Sequence, residues 1–217
     1  MAGIFLYEFM MKLLISGKLK FKPGEISLLN DPMSILPMKM IKSMTDDMVR
    51  EGMKGISELY YWGWVSGYEL TYRLAVSMNL KKFEDRYKLV MDIAAMFGFG
   101  DYKTLSFEKA KYTKFNVIQN PFAKRYYPSK ELVDHLLRGV NAGGGTVVHE
   151  RIMNCIELEC AAQNNTHCLF VNASDEVLST LDQKVVGMQL DIKTLREKQI
   201  DFIRSMGHDS FIPLPRK

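Results

Sequence analysis

The spacing of apolar residues changes several times along the chain, and each change predicts a different element. Residues 13–30 alternate between apolar and polar and turn at Pro23-Gly24, which predicts a strand on either side of the turn. From about Pro37 the apolar residues recur every three to four positions until Gly52 interrupts them, which predicts a helix.

Two more helices are expected in the first half of the chain. The longer one covers residues 56–80, where aromatic residues and glycines share a helical pattern. The next runs over about Phe83 to Phe97 and ends at Gly98-Phe99-Gly100, because glycine readily takes the left-handed conformation that closes a helix.

The second half of the chain mixes strands with another helix. Two short strands are expected over residues 105–121, where Pro121 ends the second. Ser129 is expected to cap the start of a helix, and Gly143-Gly144-Gly145 is expected to end it. Two further strands are predicted, at about 147–161 and at 167–172.

The composition is that of an ordinary globular protein. The chain has 217 residues, of which 47% are hydrophobic and 25% charged, and this length suits one large domain. The net charge of +4 is scattered along the sequence instead of being gathered in a stripe. Nucleic acid is therefore not an expected partner, because phosphate binding needs basic residues on one face.

The cytoplasm is the expected location. Residues 3–15 are apolar, but Glu8 and Lys12 interrupt them, no basic segment precedes them and no small-residue cleavage site follows. The run is also too short to span a membrane.

The sequence contains no nucleophile elbow, phosphate loop or dinucleotide fingerprint, and its four histidines are scattered. These observations favour a binding protein over an enzyme.

The candidate chemistry lies in a cysteine-rich stretch. Cys155, Cys160 and Cys168 fall within fourteen residues, and thiols stay reduced in the cytoplasm. An odd, clustered set favours a metal site or inert buried thiols over a disulfide framework. A redox pair is the third alternative, although the sequence has no C-x2-C motif to lower a thiol pKa.

Two of these cysteines are symmetric about Asn164, which predicts a hairpin in which Cys160 and Cys168 face each other. Directly opposed residues bring their Cβ atoms to about 5 Å, close enough for two thiolates to share one ion. Glu157 is a candidate third ligand. In a regular strand it would point away from Cys160, so a shared site requires a bulge or a strand end near Glu159.

Two pairs of glycines, Gly63 with Gly67 and Gly139 with Gly143, lie four residues apart on predicted helices. Glycine costs about 1 kcal/mol relative to alanine inside a helix, so each pair needs a structural reason. One interpretation is tight packing of each helix on a sheet. The other is that both helices line one cavity and the glycines leave room for a ligand.

The residues from Gly139 to Phe170 carry the pattern G-x3-G, E-x2-C and A-x-N-x3-C-x-F. This pattern resembles the 4-vinyl reductase domain, a small-molecule-binding module also described as a predicted hydrocarbon-binding protein. The family usually has glycine at the position of Asn164. The resemblance implies a stand-alone, archaeal-like member in which residues 1–217 form one domain. Its best-matched part is 128–172, and a helical extension covers about 185–217.

The resemblance implies the α/β (α+β) ligand-binding fold shared with haem nitric-oxide sensors and Golgi transport subunits, an antiparallel sheet packed with helices. In the phenol-sensing relatives the same glutamate and two cysteines bind structural Zn²⁺, which here implies Glu157, Cys160 and Cys168. Their fourth ligand is a cysteine at the position that corresponds to Asp134. Aspartate binds zinc through oxygen. The other candidates for this fourth ligand are His135, His149 and Cys155.

The leading functional hypothesis is a cytoplasmic module that binds or senses a small apolar or aromatic molecule. The predicted stripe of Tyr60, Trp64 and Tyr68 is either core or a ligand cage, and fifteen methionines offer adaptable apolar surface. A homodimer is expected, with the apolar N-terminal segment and the C-terminal helix as interface pieces. The alternatives are an accessory enzyme of tetrapyrrole vinyl reduction and a trafficking-type structural subunit that uses Met33 to Met53 as an apolar face.

Overall fold

Two antiparallel sheets and the helices around them make up the chain in the computed structural model, which describes residues 2–214. The helices are α1 (Ala2–Ile15), α2 (Met38–Arg50), α3 (Met53–Ser77), α4 (Phe83–Met96), α5 (His135–His149), α6 (Ala161–Asn164), α7 (Asp175–Leu178), α8 (Gln183–Gly187) and α9 (Ile192–Ser205). The strands are β1 (Leu19–Lys22), β2 (Glu25–Leu28), β3 (Asp31–Met33), β4 (Asp101–Glu108), β5 (Tyr112–Ile118), β6 (Asn154–Glu159) and β7 (His167–Ala173). The last three residues of the predicted C-terminal extension, 215–217, lie outside the described part.

The larger sheet has the strand order β4-β5-β7-β6, and every neighbouring pair is antiparallel. The smaller sheet has the order β1-β2-β3. The long helix α3 packs against α5, which also contacts β6, β7 and α4. The expected architecture, an antiparallel sheet packed with helices, is confirmed. Among the described residues, no helix combines the length and the apolar character needed to cross a membrane.

The two glycine pairs meet each other at the contact between α3 and α5. A Cβ atom at Gly63 would overlap the carbonyl oxygen of Leu136, and one at Gly143 would overlap that of Trp64. The glycines therefore let two helix backbones approach closely. The first interpretation is wrong, because the partner is a helix and not a sheet. The second holds in part: both helices line one cavity, but the space at the glycines themselves is filled by backbone and not by a ligand.

The predicted boundaries of α5 are wrong at both ends. Ser129 does not cap the helix, which begins six residues later, and its Oγ accepts a hydrogen bond from the Glu131 amide instead (3.0 Å). The triple glycine does not end the helix either, because α3 and Asn172 pack against it and hold it in helical conformation. The helix ends at Glu150, whose φ of 52° is left-handed.

Other elements agree better with the pattern. The turn at Pro23-Gly24 joins β1 to β2, and α2, α3 and α4 lie close to their predicted positions. Residues 13–15 belong to α1 and not to a strand, and β6 begins only at Asn154 because α5 continues to His149. The predicted tail helix is divided into α8 and α9.

The aromatic stripe of α3 belongs to the core. Tyr60, Trp64 and Tyr68 are fully buried, and the rings of Trp64 and Tyr68 stack with centroids 5.3 Å apart. Phe202 of α9 packs edge-on against both of these rings. The interpretation of the stripe as core is therefore confirmed, and its interpretation as a ligand cage is wrong.

Candidate metal centre and ligand cavity

Four acidic or thiol side chains meet in the interior near one end of the larger sheet. Asp134 directly precedes α5, Glu157 lies in β6, Cys160 follows the end of β6, and Cys168 lies in β7. One ligand atom from each of them lies within 4.8 Å of the others, and all four residues are buried. The structure thus brings together the four residues that the sequence proposed as metal ligands.

A bulge makes this convergence possible. Glu157 pairs with Phe170 across the ladder while Glu159 pairs with Leu169, so β6 has one extra residue, Leu158, between them. Leu158, the extra residue, is 39% exposed, and Glu159 after it is exposed as well. The bulge thus shifts the alternation, so that Glu157 and Cys160, three residues apart, both point inwards. The irregularity that a shared site requires is therefore present.

The expected direct pairing of the two cysteines is wrong. The strand β6 ends at Glu159, so Cys160 lies outside the ladder and precedes the short helix α6. The left-handed residue of the connection is Asn165, with φ 56°, and not the central Asn164. The helical turn brings the Cys160 thiol inwards, where the amide of Ala161 donates a hydrogen bond to Cys168 Sγ (3.2 Å).

Asn120 orients two of the four side chains. Its Nδ2 donates to Asp134 Oδ2 (2.9 Å) and to Cys168 Sγ (3.4 Å). Its Oδ1 accepts from the backbone amides of Phe122 and Ala123, which fixes the orientation of the amide group. Sequence reasoning missed this residue, and the only signal was that it belongs to the Asn-Pro pair shortly after β5.

Gln189, from the C-terminal part of the chain, holds the backbone at Glu157. Its Oε1 accepts from the Glu157 amide (2.9 Å), and its Nε2 donates to the Glu157 carbonyl (2.8 Å). The fully buried Arg138 of α5 donates to the Gln189 carbonyl (3.3 Å) and to Nδ1 of His135 (2.8 Å). Sequence reasoning missed both residues, because neither belongs to a recognisable motif.

The cluster is electrostatically unfavourable in its ionised form. Burial raises the pKa of Asp134, and burial together with the nearby Asp134 charge raises the pKa of Glu157 well above its usual range. The hydrogen bond between the thiols lowers the pKa of Cys160 to about 7 and raises that of Cys168. Asp134 Oδ1 and Glu157 Oε1 have no hydrogen-bond partner among the described residues. Two carboxylates and two thiols at this depth form a donor set that fits a divalent cation such as Zn²⁺.

The other candidates for a fourth ligand are placed elsewhere. His135 Nδ1 accepts from Arg138, as described above. His149 accepts from the Ala110 amide through Nδ1 (3.0 Å) and is bonded to Thr113 Oγ1 through Nε2 (2.9 Å). Cys155 is buried but is not among the four clustered residues.

A cavity of about 530 Å³ lies between α3, α4, α5 and the hairpin of β2 and β3. Most of its wall is apolar, with contributions from Leu70, Val90, Ile93, Ala94, Phe97 and Val140. Two buried polar residues, Thr71 and Asn141, also line it. This combination of an apolar wall and a few polar groups is typical of small-molecule sites.

The hairpin of β2 and β3 covers one side of this cavity and is attached to α3. Arg73 donates to the carbonyl of Leu29 (2.9 Å) and forms an ion pair with Asp31. A second apolar cavity, of about 400 Å³, adjoins the first and shares Leu28, Met33, Phe97 and Phe99 with it.

Comparisons with known proteins support the fold. No protein-family model matches the chain, and no curated protein matches it significantly. Among solved structures, it is similar to the phenol-responsive sensory domain of the transcription activator PoxR, solved with phenol. The TM-score is 0.66 and the identity 15%, over 81% of this chain and 94% of that chain. It is also similar to a vinyl-4-reductase family protein from Methanocaldococcus jannaschii (TM-score 0.47, 20% identity, 66% of this chain and 85% of that chain). The first similarity shows a shared fold, and membership of the 4-vinyl reductase family stays a prediction.

Proposed function

We propose that this chain binds and senses a small, largely apolar molecule in the cavity between α3, α4 and α5. The observation that carries the proposal is the cavity itself, about 530 Å³ of mostly apolar space in the fold of a phenol-responsive sensory domain. Binding would remove apolar surface of both ligand and wall from water, at about 25 cal/mol per Å². An aromatic or hydrocarbon-like ligand fits such a wall best.

A structural Zn²⁺ site is the second part of the proposal, with Asp134, Glu157, Cys160 and Cys168 as its ligands. The unpartnered carboxylate oxygens and the mixed oxygen and sulfur donor set support it. A bound ion would supply the positive charge that these groups need in order to be ionised in the interior. Four protein ligands would fill a tetrahedral shell, so the site would serve stability and not catalysis.

The two sites are connected by α5. Asp134 lies at the start of this helix, and Val140, Asn141 and Gly144 of the same helix line the cavity. A metal-held Asp134 would fix the helix relative to the hairpin of β6 and β7, and would thereby fix one wall of the cavity. In this proposal the metal maintains the shape of the ligand site without contacting the ligand.

A homodimer is the third part of the proposal. Exposed apolar residues lie on the small sheet, on the segment that follows it and on α2, and they are Phe21, Ile35, Leu36, Met40 and Met44. Phe21, Ile35 and Leu36 also line the second cavity, which adjoins the ligand cavity. A second copy that covers this surface would therefore lie directly beside the second cavity. Light scattering tests it, since Ile35→Glu should convert a dimer into monomers.

Native mass spectrometry of freshly purified protein tests the ligand and the metal together. We expect a bound small molecule, one metal ion per chain and a dimer. A variant that fills the cavity, Leu70→Trp, should lose the small molecule and keep the metal. The control Val76→Trp adds the same ring on the exposed side of α3 and should keep both. Small-molecule binding that is equal in the two variants would contradict the proposed site.

A further inference from the structure

The two apolar cavities lie along one face of the small sheet. Leu19 pairs with Leu28 across β1 and β2. Phe21 pairs with Ile26, which also pairs with Met33 of β3. Directly opposed residues project from the same face of a sheet, so these five side chains form one apolar face. All five line the second cavity, and Leu28 and Met33 also line the first, so the small sheet is a common wall of both.

The side chains that the two cavities share form the boundary between them. Besides Leu28 and Met33, these are Phe97 and Phe99, which follow α4. Met33, Phe97 and Phe99 are only partly buried. Methionine is unbranched and adapts its shape to its neighbours, so Met33 can move aside for a chain that passes it. Because the same side chains line both cavities, a single long ligand can extend from the first into the second.

Polar residues lie at one end of this combined space. The wall of the first cavity includes the charged residues Asp31, Glu69 and Arg73 and the buried Thr71. In the second cavity, Ser34 is the only polar residue among the described residues that line it. A ligand that fills both cavities therefore needs a polar group only at the end that lies in the first. The rest of the molecule gains most by being apolar, because the second wall offers it almost no hydrogen-bonding groups.

We infer that the ligand is a long-chain amphiphile, such as a fatty alcohol, whose polar end lies in the first cavity and whose chain passes Met33 into the second. This inference rests on the proposed function, because it deepens the chemistry of the same ligand site. It distinguishes long-chain compounds from compact aromatic ones such as naphthalene, which would fill only the first cavity and leave the apolar wall of the second exposed to water.

A second copy of the chain is the competing occupant of the second cavity. Phe21, Ile35 and Leu36 line this cavity, are exposed, and belong to the surface proposed for the dimer. In the inferred arrangement the ligand chain lies deeper, against the partly buried Ile26 and Met33, and the second copy covers it from outside. Side chains of a second copy that filled the cavity would instead exclude the ligand chain, and the experiment must separate these cases.

Photo-crosslinking of the unmodified protein locates both ends of a bound chain. The two probes are dodecan-1-ol molecules that carry a diazirine, one close to the hydroxyl group and one at the far end of the chain. Mass spectrometry of the labelled peptides identifies the residues that react, and excess unlabelled dodecan-1-ol should suppress the reaction. We expect the first probe to label the first cavity, at residues such as Leu70 or Val90, and the second probe to label the second cavity, at Ile26 or Met38. Labelling of the first cavity by both probes overturns the inference and leaves the proposed function standing.

A variant that fills only the second cavity gives an independent test. Ile26 lines the second cavity and not the first, so Ile26→Trp should block the chain and spare a compact ligand. Each buried methylene group contributes about fourfold in affinity. We therefore expect Ile26→Trp to weaken dodecan-1-ol relative to naphthalene by at least about tenfold in equilibrium dialysis. The control Glu25→Trp adds the same ring on the opposite, exposed face of β2 and should leave the ratio of the two dissociation constants unchanged.

Light scattering of Ile26→Trp distinguishes the ligand chain from a second copy. A variant that loses the dimer but keeps the ratio of the unmodified protein assigns the second cavity to the second copy and overturns the inference. Naphthalene binding without dodecan-1-ol binding to the unmodified protein overturns the inference alone. Failure of both compounds to bind overturns both the inference and the proposed function.

Discussion

The Sγ of Cys168 lies 3.1 Å from Oδ2 of Asp134, although the two residues are 34 positions apart in the chain. The contact joins β7 to the start of α5 in a place without solvent, beside a second carboxylate and a second thiol. Such a contact is stable only if the cluster is protonated or binds a cation. The stability of the hairpin and that of the helix are therefore linked through this point.

Replacing Cys168 tests the link directly. We expect Cys168→Ser to lose most of the bound metal and to lower the unfolding temperature by several degrees, because binding free energy at a structural site is also folding free energy. Elemental analysis and differential scanning fluorimetry measure the two effects. The control is Cys155→Ser, the same change at a buried cysteine outside the cluster, which should keep one metal per chain. Full metal occupancy in Cys168→Ser would remove Cys168 from the ligand set.

Asn120 is expected to position ligands without binding the metal itself. Asn120→Ala removes the donor to Asp134 and Cys168, and loss of a hydrogen bond that orients a metal ligand weakens metal binding by about 10–100-fold. Competition with a chromogenic chelator gives the affinity. Asn116→Ala, a few residues earlier in β5, is the matched control. An affinity for metal that is the same in both variants would mean that Asn120 has only a structural role in its own turn.

The contact between α3 and α5 should tolerate no added carbon. Gly63→Ala would place a methyl group against the backbone of Leu136 and Val140, which only a shift of the helices can relieve. We expect a loss of roughly 2–4 kcal/mol in the free energy of unfolding by urea denaturation. In contrast, a methyl group at Gly187 in α8 meets no atom within 4 Å, so Gly187→Ala should not destabilise the protein and should stabilise it by at most about 1 kcal/mol. Equal effects of the two changes would argue against the close packing of the two helices.

His149 should make the protein less stable in mild acid. Burial lowers its pKa from 6.5 to about 4, and its Nδ1 must stay unprotonated to accept from the Ala110 amide. Below pH 6.5 the unfolded chain binds a proton that the folded chain does not, so this stabilisation is complete above 6.5 and is lost as the pH falls towards 4. The loss amounts to about 2 kcal/mol between about pH 7.5 and about pH 5.

The variant His149→Gln isolates this term, because glutamine keeps hydrogen-bonding groups but does not titrate in this range. Urea denaturation at the two pH values should show a smaller acid-induced loss in the variant than in the unmodified protein. The carboxyl groups titrate in both proteins. Their contribution to the acid-induced change in unfolding free energy is therefore removed when the changes measured for the two proteins are compared. The same loss in both proteins would show that His149 is not held neutral.

Local pattern accounts for much of the fold and fails at particular places. The turn at Pro23-Gly24 and the helices α2, α3 and α4 follow from the spacing of apolar residues, because each depends mainly on its own segment. The ends of α5 do not, because α3 packs against Gly143 and supports a conformation that three glycines alone would not keep. Ser129 was a plausible cap on local grounds, but a helix start needs tertiary contacts to select it.

The candidate site shows the same division. The proposal of Glu157, Cys160 and Cys168 came from spacing and from a resemblance, and the structure places them together with Asp134. A bulge that lets Glu157 and Cys160 point the same way could be required from the sequence, but its position could not be located, because the register of a strand depends on its partner. Asn120 and Gln189 carry no motif and are recognised only by the atoms that they contact.

The sequence by itself determined which side chains are available and where regular elements form, since both depend on neighbours along the chain. Only the tertiary structure decided that an apolar cavity lies between α3 and α4 beside the helix that follows Asp134, and that Asp134 and Glu157 each keep a buried carboxylate oxygen without a hydrogen-bond partner among the described residues. Empty volume and unpaired polar atoms belong to no single segment. They result from how distant segments pack, and a linear pattern contains no measure of that.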